Sequence, residues 1–542
     1  MQRKFISYFP ENYSPSKSQI QLISGVEKAF AKGKKFVICC APTGTGKSFL
    51  GKTLANISSP PTANYTNLIK SYNAFRQDYT GNYTYEAEAR QEPAFGAFVL
   101  TITKSLQDQY TKLFEDGKLL KGKTNYQCQV DNNFDVESAP CVLVNKLKED
   151  CWEKNLCPYY NARNAALLDK FSILNYKMFL SLPTHVKRKN FIVCDEASEL
   201  EDELVKRFSA YVEYDKLKNY GLSIVPLVTE STQKTRAWLY DLIFNLSEYI
   251  GTLQNRYSKK ITNLSPIDKI KLRYLKNLYN NLTIIESSWD ECEFVVEKDS
   301  QRAFFTPLKV DKLSKYIFDY GENVLLMSAT IIDHKNFAKA LGITDYEYVE
   351  VDSTFESSKS PIYVTSKNKL NYKNIKIELP SIVEKIKQIC DFHKDEKGII
   401  HTHTMEITDY IKGRFNDKRF LYRDISAKNE TILKDHSSSS LPTVLVSPSL
   451  SFGIDLKDDL ARFQIVAKLP YLPLSSKRIK RMFDLDKNWY IDKMLNALVQ
   501  ACGRATRSKN DYSTTYILDG NIVDILKNHK DRLPKYFIDR II

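Results

Sequence analysis

Short, continuous apolar runs recur along this chain with helical patterns between them, and they constrain its fold more than any other feature. Phe36–Cys40, Ala97–Thr101, Phe191–Cys194 and Val324–Met327 make one series. Ile362–Thr365, Gly398–His401, Val444–Val446, Phe463–Ala467 and Thr515–Leu518 make a second. A strand that is apolar on both faces must be covered on both, which calls for a parallel sheet with helices on each side. Two series predict an α/β chain with two such units. Two long stretches interrupt the first series, roughly 106–170 and 203–304; the second reads mostly as helix, as in Thr235–Tyr257. The segment 56–96 is polar and aromatic-rich, without a clear period. No apolar run approaches the ~18 residues of a membrane-spanning helix. The N-terminal residues lack the apolar core of a secretory leader, so residence in the cytoplasm is expected.

The first run leads into Ala41-Pro42-Thr43-Gly44-Thr45-Gly46-Lys47-Ser48, followed by a helical pattern. Glycines at 44 and 46 let successive N–H groups turn inward onto phosphate oxygens, and the helix N-terminus adds its positive end. This is a phosphate-binding loop with Ala41 in place of its first glycine. Lys47 is expected to reach the β- and γ-phosphates of ATP and Ser48 to hold Mg²⁺, with Thr43 and Thr45 completing the loop. The run Phe191–Cys194 ends in Asp195 and Glu196. Asp195 is the expected second Mg²⁺ ligand, and Glu196 the group that orients or deprotonates water. Near the C-terminus, Gln500-Ala501-Cys502-Gly503-Arg504-Ala505-Thr506-Arg507 is predicted to lie on a helix that starts near Asn488. Arg504 and Arg507 are three apart and would share a face of it, suiting a transition state with charge on phosphoryl oxygens. Arginines reaching across from a second unit would couple hydrolysis to domain closure.

Charge and cysteine usage narrow the partners. The chain of 542 residues has 79 Lys/Arg and 65 Asp/Glu, a formal charge of +14. Residues 461–542 hold 16 Lys/Arg against 8 Asp/Glu, a clustered surplus that favours a polyanion such as nucleic acid. Within it, Lys477-Arg478-Ile479-Lys480-Arg481 suits either phosphate contacts or a solvated face. Four of the ten cysteines, Cys128, Cys141, Cys151 and Cys157, are separated by 13, 10 and 6 residues without a CxxC pair. Spacing alone leaves zinc and an iron–sulfur cluster both open. The other six are expected to pack as small apolar residues in or near strands. His401 and His403 are two apart without a third ligand in view, so metal binding is not expected there.

The order APTGTGKS, DEAS, MSAT, FGID and QACGRATR resembles the superfamily-2 helicases across nearly the whole chain. Gln19 stands where that family has an adenine-contacting glutamine. Thr101–Gln107 resembles the motif that touches the nucleic-acid backbone, Ser328-Ala329-Thr330 the motif linking nucleotide and nucleic-acid sites, and Gly453-Ile454-Asp455 the fifth motif. The closer resemblance is to the XPD/DinG group of iron–sulfur helicases. It is carried by Lys121–Cys128, Cys157–Arg163, Ile173–Tyr176, Thr306–Val310 and Lys468–Tyr471. Two departures are Ser198 where the family usually has His, and Ser451-Phe452 where it has an aromatic-acidic pair.

The resemblance implies two RecA-like motor domains with an inserted Fe–S cluster domain and an inserted, mostly helical arch. Residues 1–105, 171–204 and 305–350 would form the first motor domain and 351–542 the second. Residues 106–170 would form the cluster domain and 205–304 the arch. It also implies a [4Fe–4S] cluster on Cys128, Cys141, Cys151 and Cys157, acting as a wedge, and a monomeric motor moving 5′-to-3′ on single-stranded DNA to open forked or tailed duplexes. Three alternatives stay open: an RNA helicase of the same superfamily, a zinc-stapled nucleic-acid-binding ATPase that does not unwind, and an ATPase that remodels protein complexes.

Overall fold

The structure is a computed structural model. It describes residues 4–42, 44–74, 87–88, 90–142, 147, 150–151, 154–258, 265–352, 356–366, 368–415, 417–422, 429–448, 456, 458–503, 505 and 511–542.

The first part of the chain contributes strands β1 (Phe36–Cys40), β2 (Ala97–Thr101), β3 (Lys118–Leu120), β4 (Phe171–Asn175), β5 (Lys189–Asp195), β6 (Ala210–Glu213), β7 (Phe294–Lys298), β8 (Arg302–Pro307), β9 (Gly321–Ser328) and β10 (Tyr346–Glu350). Seven of them form one parallel sheet in the order β10-β1-β9-β5-β2-β4-β3. The second part contributes β11 (Ile362–Val364), β12 (Gly398–His401), β13 (Phe420–Tyr422), β14 (Val444–Ser447), β15 (Phe463–Val466) and β16 (Thr514–Ile517). These form a second parallel sheet, β11-β16-β15-β12-β14-β13. Both sheets are buried on both faces. On the first, Ile38, Phe98, Leu100 and Ile192 pack on one side and Val37, Val99, Val193 and Leu325 on the other. Strand alternation produces this split, since neighbouring residues point to opposite faces.

The helices used below are α1 (Lys17–Ala31), α2 (Lys47–Ile57), α3 (Lys104–Leu113), α4 (Pro158–Leu168), α5 (Leu200–Arg207), α6 (Thr232–Ser258), α7 (Pro266–Ser287), α8 (Lys477–Leu485) and α9 (Lys487–Cys502). The segment expected to be mostly helical has α6 and α7 as its body. They stand on an antiparallel sheet, β6-β8-β7, that shares their core through Val212, Ala303 and Phe305. The segment 56–96, unassigned from sequence, contains a helix over Ala63–Ala74. Cys39, Cys40 and Cys194 lie in strands as expected, whereas Cys390 and Cys502 are buried in helices.

The two lobes meet through a buried ionic cluster. Glu201, 5% exposed at the start of α5, accepts from Arg478 at 3.1 Å, from the Trp489 indole at 3.0 and 3.1 Å, and from Lys493 at 3.0 Å. Arg478 also donates to the Pro307 carbonyl at 2.9 Å. Lys493 reaches Asp202 at 3.2 Å, and the neighbouring acids raise its pKa against the cost of burial. Arg478 therefore departs from the reading of Lys477–Arg481 as phosphate contacts or a solvated face, while Lys477, Lys480 and Arg481 are exposed. Arg478 is 4% exposed inside the interface, Lys480 pairs with Asp484 at 2.6 Å, and Arg481 with Glu293 at 2.7 Å. The physical reason is that helix α8 turns Arg478 inward, where Glu201 and Pro307 satisfy it.

Removing one partner from such a cluster leaves the others charged, buried and unpaired, which costs about 3–5 kcal/mol. Glu201→Ala should therefore lower stability by about that amount, read from urea or thermal denaturation. Glu203→Ala, whose partner Lys206 is largely exposed, should cost less than about 1 kcal/mol.

Candidate nucleotide site and interlobe cleft

Strand β1 delivers the phosphate-binding loop, and parallel pairing places its partners beside it. Cys40 is in register with Ser328 on β9, while Asp195 on β5 is in register with Met327. The chain ends of the three strands therefore lie side by side, and the Ala41 N–H donates to the Ser328 carbonyl at 3.0 Å. Gly44 and Gly46 have φ of 82° and 78°, the left-handed region that glycine enters without a Cβ penalty. Thr45 is tied back to the Pro42 carbonyl by its hydroxyl at 2.8 Å, and the Lys47 ammonium donates to the Ala41 carbonyl at 2.9 Å. Thr43 lies outside the described residues.

Gln19 is the N3 residue of helix α1. Its side-chain oxygen accepts the Ser16 N–H at 2.8 Å, and its amide nitrogen donates to the Gly46 carbonyl at 3.5 Å. A capping box thus holds Gln19 against the loop. Asp195 is 5% exposed, and its pKa is pushed up to about 6. Burial is the largest cause, followed by the charge of Glu196; Lys47 and a hydrogen bond from Tyr110 act in the opposite direction. Glu196 has φ 51°, and its N–H returns to Asp195 Oδ1 at 3.0 Å. The Tyr110 hydroxyl on α3 donates to Asp195 Oδ2 at 2.9 Å, and Tyr176 donates to the Asp195 carbonyl at 2.9 Å. Neither tyrosine stands out in the sequence. Each lies at a buried position that reads as ordinary core.

A hydrogen-bonded chain crosses from this edge to the second lobe. The Ser328 hydroxyl lies 3.0 Å from that of Ser198, and the Gln500 amide on α9 donates to Ser198 at 3.0 Å. The residues of three sequence motifs thus touch directly. Arg504, Arg507 and Asp455 lie outside the described residues. Helix α9 ends at Cys502, with Gly503 as its C-cap.

The four cysteines approach one another. Cys128 is buried with Phe134 and Ala139, and Cys141 packs against them. Burial raises the pKa of Cys151, as do the neighbouring thiols of Cys128 and Cys157. Cys157 caps α4. Burial raises its pKa too, with the nearby Tyr160 and Tyr159 N–H groups acting in the opposite direction. Four soft donors within one segment are a donor set that suits an iron–sulfur cluster or zinc. Among the described residues, no three potential ligands are already close enough to hold an ion. His403, with φ 63°, directs Nε2 to the Tyr471 carbonyl at 2.8 Å.

Residues 399–539 match the helicase C-terminal domain family. The ATP-dependent DNA helicase XPD of Sulfolobus acidocaldarius is 22% identical over 539 residues, covering 88% of this chain and 91% of that protein. The ATP-dependent DNA helicase CHL1 of Debaryomyces hansenii is 33% identical over 119 residues, 17% of this chain and 14% of that protein. A solved XPD helicase superposes with a TM-score of 0.62 at 17% identity, covering 95% of this chain and 97% of the other. The chain shares its fold with that XPD helicase. A second solved relative, Xpd4 of S. tokodaii, gives a TM-score of 0.55 at 14% identity over 97% of this chain and 98% of the other. The XPD-like fold accounts for the two parallel sheets as a pair of RecA-like units. No described helix is long and apolar enough to cross a membrane.

Gly46 offers a direct test of the loop. An added Cβ would strike the Gln19 amide nitrogen while the backbone is held at positive φ. Gly46→Ala should weaken nucleotide binding at least about tenfold, read by titration with a fluorescent nucleotide, because a left-handed L-residue costs about 1–2 kcal/mol before any clash.

Proposed function

We propose that this chain is an ATP-dependent DNA helicase that moves along single-stranded DNA, 5′-to-3′, and separates the strands of tailed or forked duplexes. The observation that carries the reading is the contact of Ser328, Ser198 and Gln500, which joins the nucleotide edge of one lobe to the other. Similarity to the DNA helicase XPD over most of both chains supports DNA rather than RNA as the partner.

Lys47 and the N–H groups at Gly44 to Ser48 would bind the phosphates, with Gln19 beside the base. Ser48 and Asp195 would hold Mg²⁺, which when bound neutralises phosphate charge as it develops. Glu196 would orient the attacking water and take its proton as the terminal phosphate leaves ADP. Arg504 and Arg507 would approach from the second lobe, with Asp455 near the nucleotide. Closing the lobes brings Gln500 onto Ser198; release of phosphate lets them separate, and alternation of the two moves the strand. Residues 106–170 would carry a [4Fe–4S] cluster on the four cysteines, whose contribution when bound is a rigid, crosslinked wedge. Residues 205–304 would form the arch beside the DNA path.

Lys47→Ala should reduce ATP turnover by about 100-fold or more, as expected for loss of a charge-stabilising donor. Unchanged hydrolysis would remove the loop from the mechanism, and hydrolysis in the wild type indifferent to single-stranded DNA would count against a motor. Unwinding should require a 5′ tail; activity only on 3′-tailed duplex reverses the polarity. Anaerobically purified protein should be brown and contain iron, and Cys157→Ser should lose both. Zinc in place of iron would favour the zinc-stapled alternative.

A further inference from the structure

We propose that Tyr110 is a positioning residue for the magnesium site, holding Asp195 in place from helix α3; the inference rests on the ATP-dependent reading above. Tyr110 is 2% exposed. Its hydroxyl donates to Asp195 Oδ2 at 2.9 Å. The phenol therefore holds one of the two side chains that the sequence motifs assign to the metal, the carboxylate at the end of β5. The other oxygen of Asp195 is fixed separately by the Glu196 N–H at 3.0 Å.

A carboxylate and a hydroxyl are the hard oxygen donors that suit Mg²⁺ beside nucleotide phosphates. Such ligands hold their geometry through the groups hydrogen-bonded behind them, and losing one of those groups weakens metal binding by about 10–100-fold. Tyr110 is built to be rigid in this task. Its ring packs 6.4 Å from that of Phe114. Its helix is pinned on the side facing the cysteine-bearing segment: Gln107 donates to the Leu120 carbonyl at 3.5 Å, Lys121 pairs with Asp108 at 2.7 Å, and Lys104 donates to Asn125 at 2.7 Å. The same helix begins in the Thr101–Gln107 stretch. Tyr110 thus ties Asp195 to a helix anchored outside the nucleotide site.

Tyr176 provides an internal comparison. It is equally buried and also bonds Asp195, but through the backbone carbonyl at 2.9 Å, away from the carboxylate. The experiment uses the full chain, titrating Mg²⁺ into protein with a fluorescent ADP analogue and melting each variant without nucleotide. Tyr110→Phe retains the ring and should need about tenfold more Mg²⁺ for half-maximal nucleotide binding, with binding restored at saturating Mg²⁺. Tyr176→Phe should keep the wild-type Mg²⁺ requirement, even where its melting temperature falls. An unchanged Mg²⁺ requirement in Tyr110→Phe, or an equal shift in both variants, overturns the proposal. If the wild type itself binds nucleotide without any Mg²⁺ dependence, or not at all, the ATPase reading fails first and the role of Tyr110 falls with it.

Discussion

The hydrogen bond from the Ala41 N–H to the Ser328 carbonyl, 3.0 Å long, continues the β1–β9 ladder one step past the strands, and the cleft is built outward from it. Because β1, β9 and β5 are parallel, their chain ends emerge on the same side of the sheet, and three loops distant in sequence become neighbours. Slipping β9 by one residue would turn the Ser328 side chain to the opposite face and break its contact with Ser198. Register is secured by burial on both faces: Leu326 and Ile38 face one core, Leu325 and Val37 the other. Hydrophobic packing thus fixes the position of polar groups that contribute little to stability themselves.

The second lobe meets this edge along one face of helix α9. Trp489, Lys493, Asn496 and Gln500 recur at spacings of four, three and four, so they form a single stripe. Its first two members bind Glu201, and its last binds Ser198, three residues before Glu201. The stripe therefore contacts the turn after Asp195 through both an ionic cluster and an uncharged hydrogen bond. A buried ionic cluster is weak as a source of net stability but demanding in geometry. Its value here is to fix which face of α9 meets the first lobe, which brings Gln500 within reach of Ser198.

How much of this was legible in the sequence depends on whether a feature is local. The phosphate-binding loop, the Asp195–Glu196 strand end and the apolar strands of both sheets follow from runs and spacings along the chain. Edge strands such as β3 and β13 escape because three residues do not establish a pattern. The antiparallel sheet under α6 and α7 escapes because the long helical periodicity around it dominates. Tyr110 and Arg478 are harder cases. An inward tyrosine on an amphipathic helix looks like core, and an arginine in a basic run looks solvated; only the tertiary partners, Asp195 and Glu201, give them other meanings. The helical face expected for Arg504 and Arg507 lies outside the described residues, and the described helix closes just before it. Gly503 is a poor helix former and stands where α9 ends.

Ser198 occupies the position where the family usually has His, and its chemistry changes what the interlobe contact can sense. An imidazole near neutral pH changes charge with small changes in its surroundings, and with that change its hydrogen-bonding role. A hydroxyl does not titrate. It can donate once and accept twice, enough to engage both the Ser328 hydroxyl and the Gln500 amide in one state. The side chain is also short, so the contact with Gln500 at 3.0 Å exists only when the lobes lie close together. A longer imidazole could keep touching a partner across a wider gap. In this chain the junction therefore holds a group that does not titrate: one hydroxyl accepts from both Ser328 and Gln500.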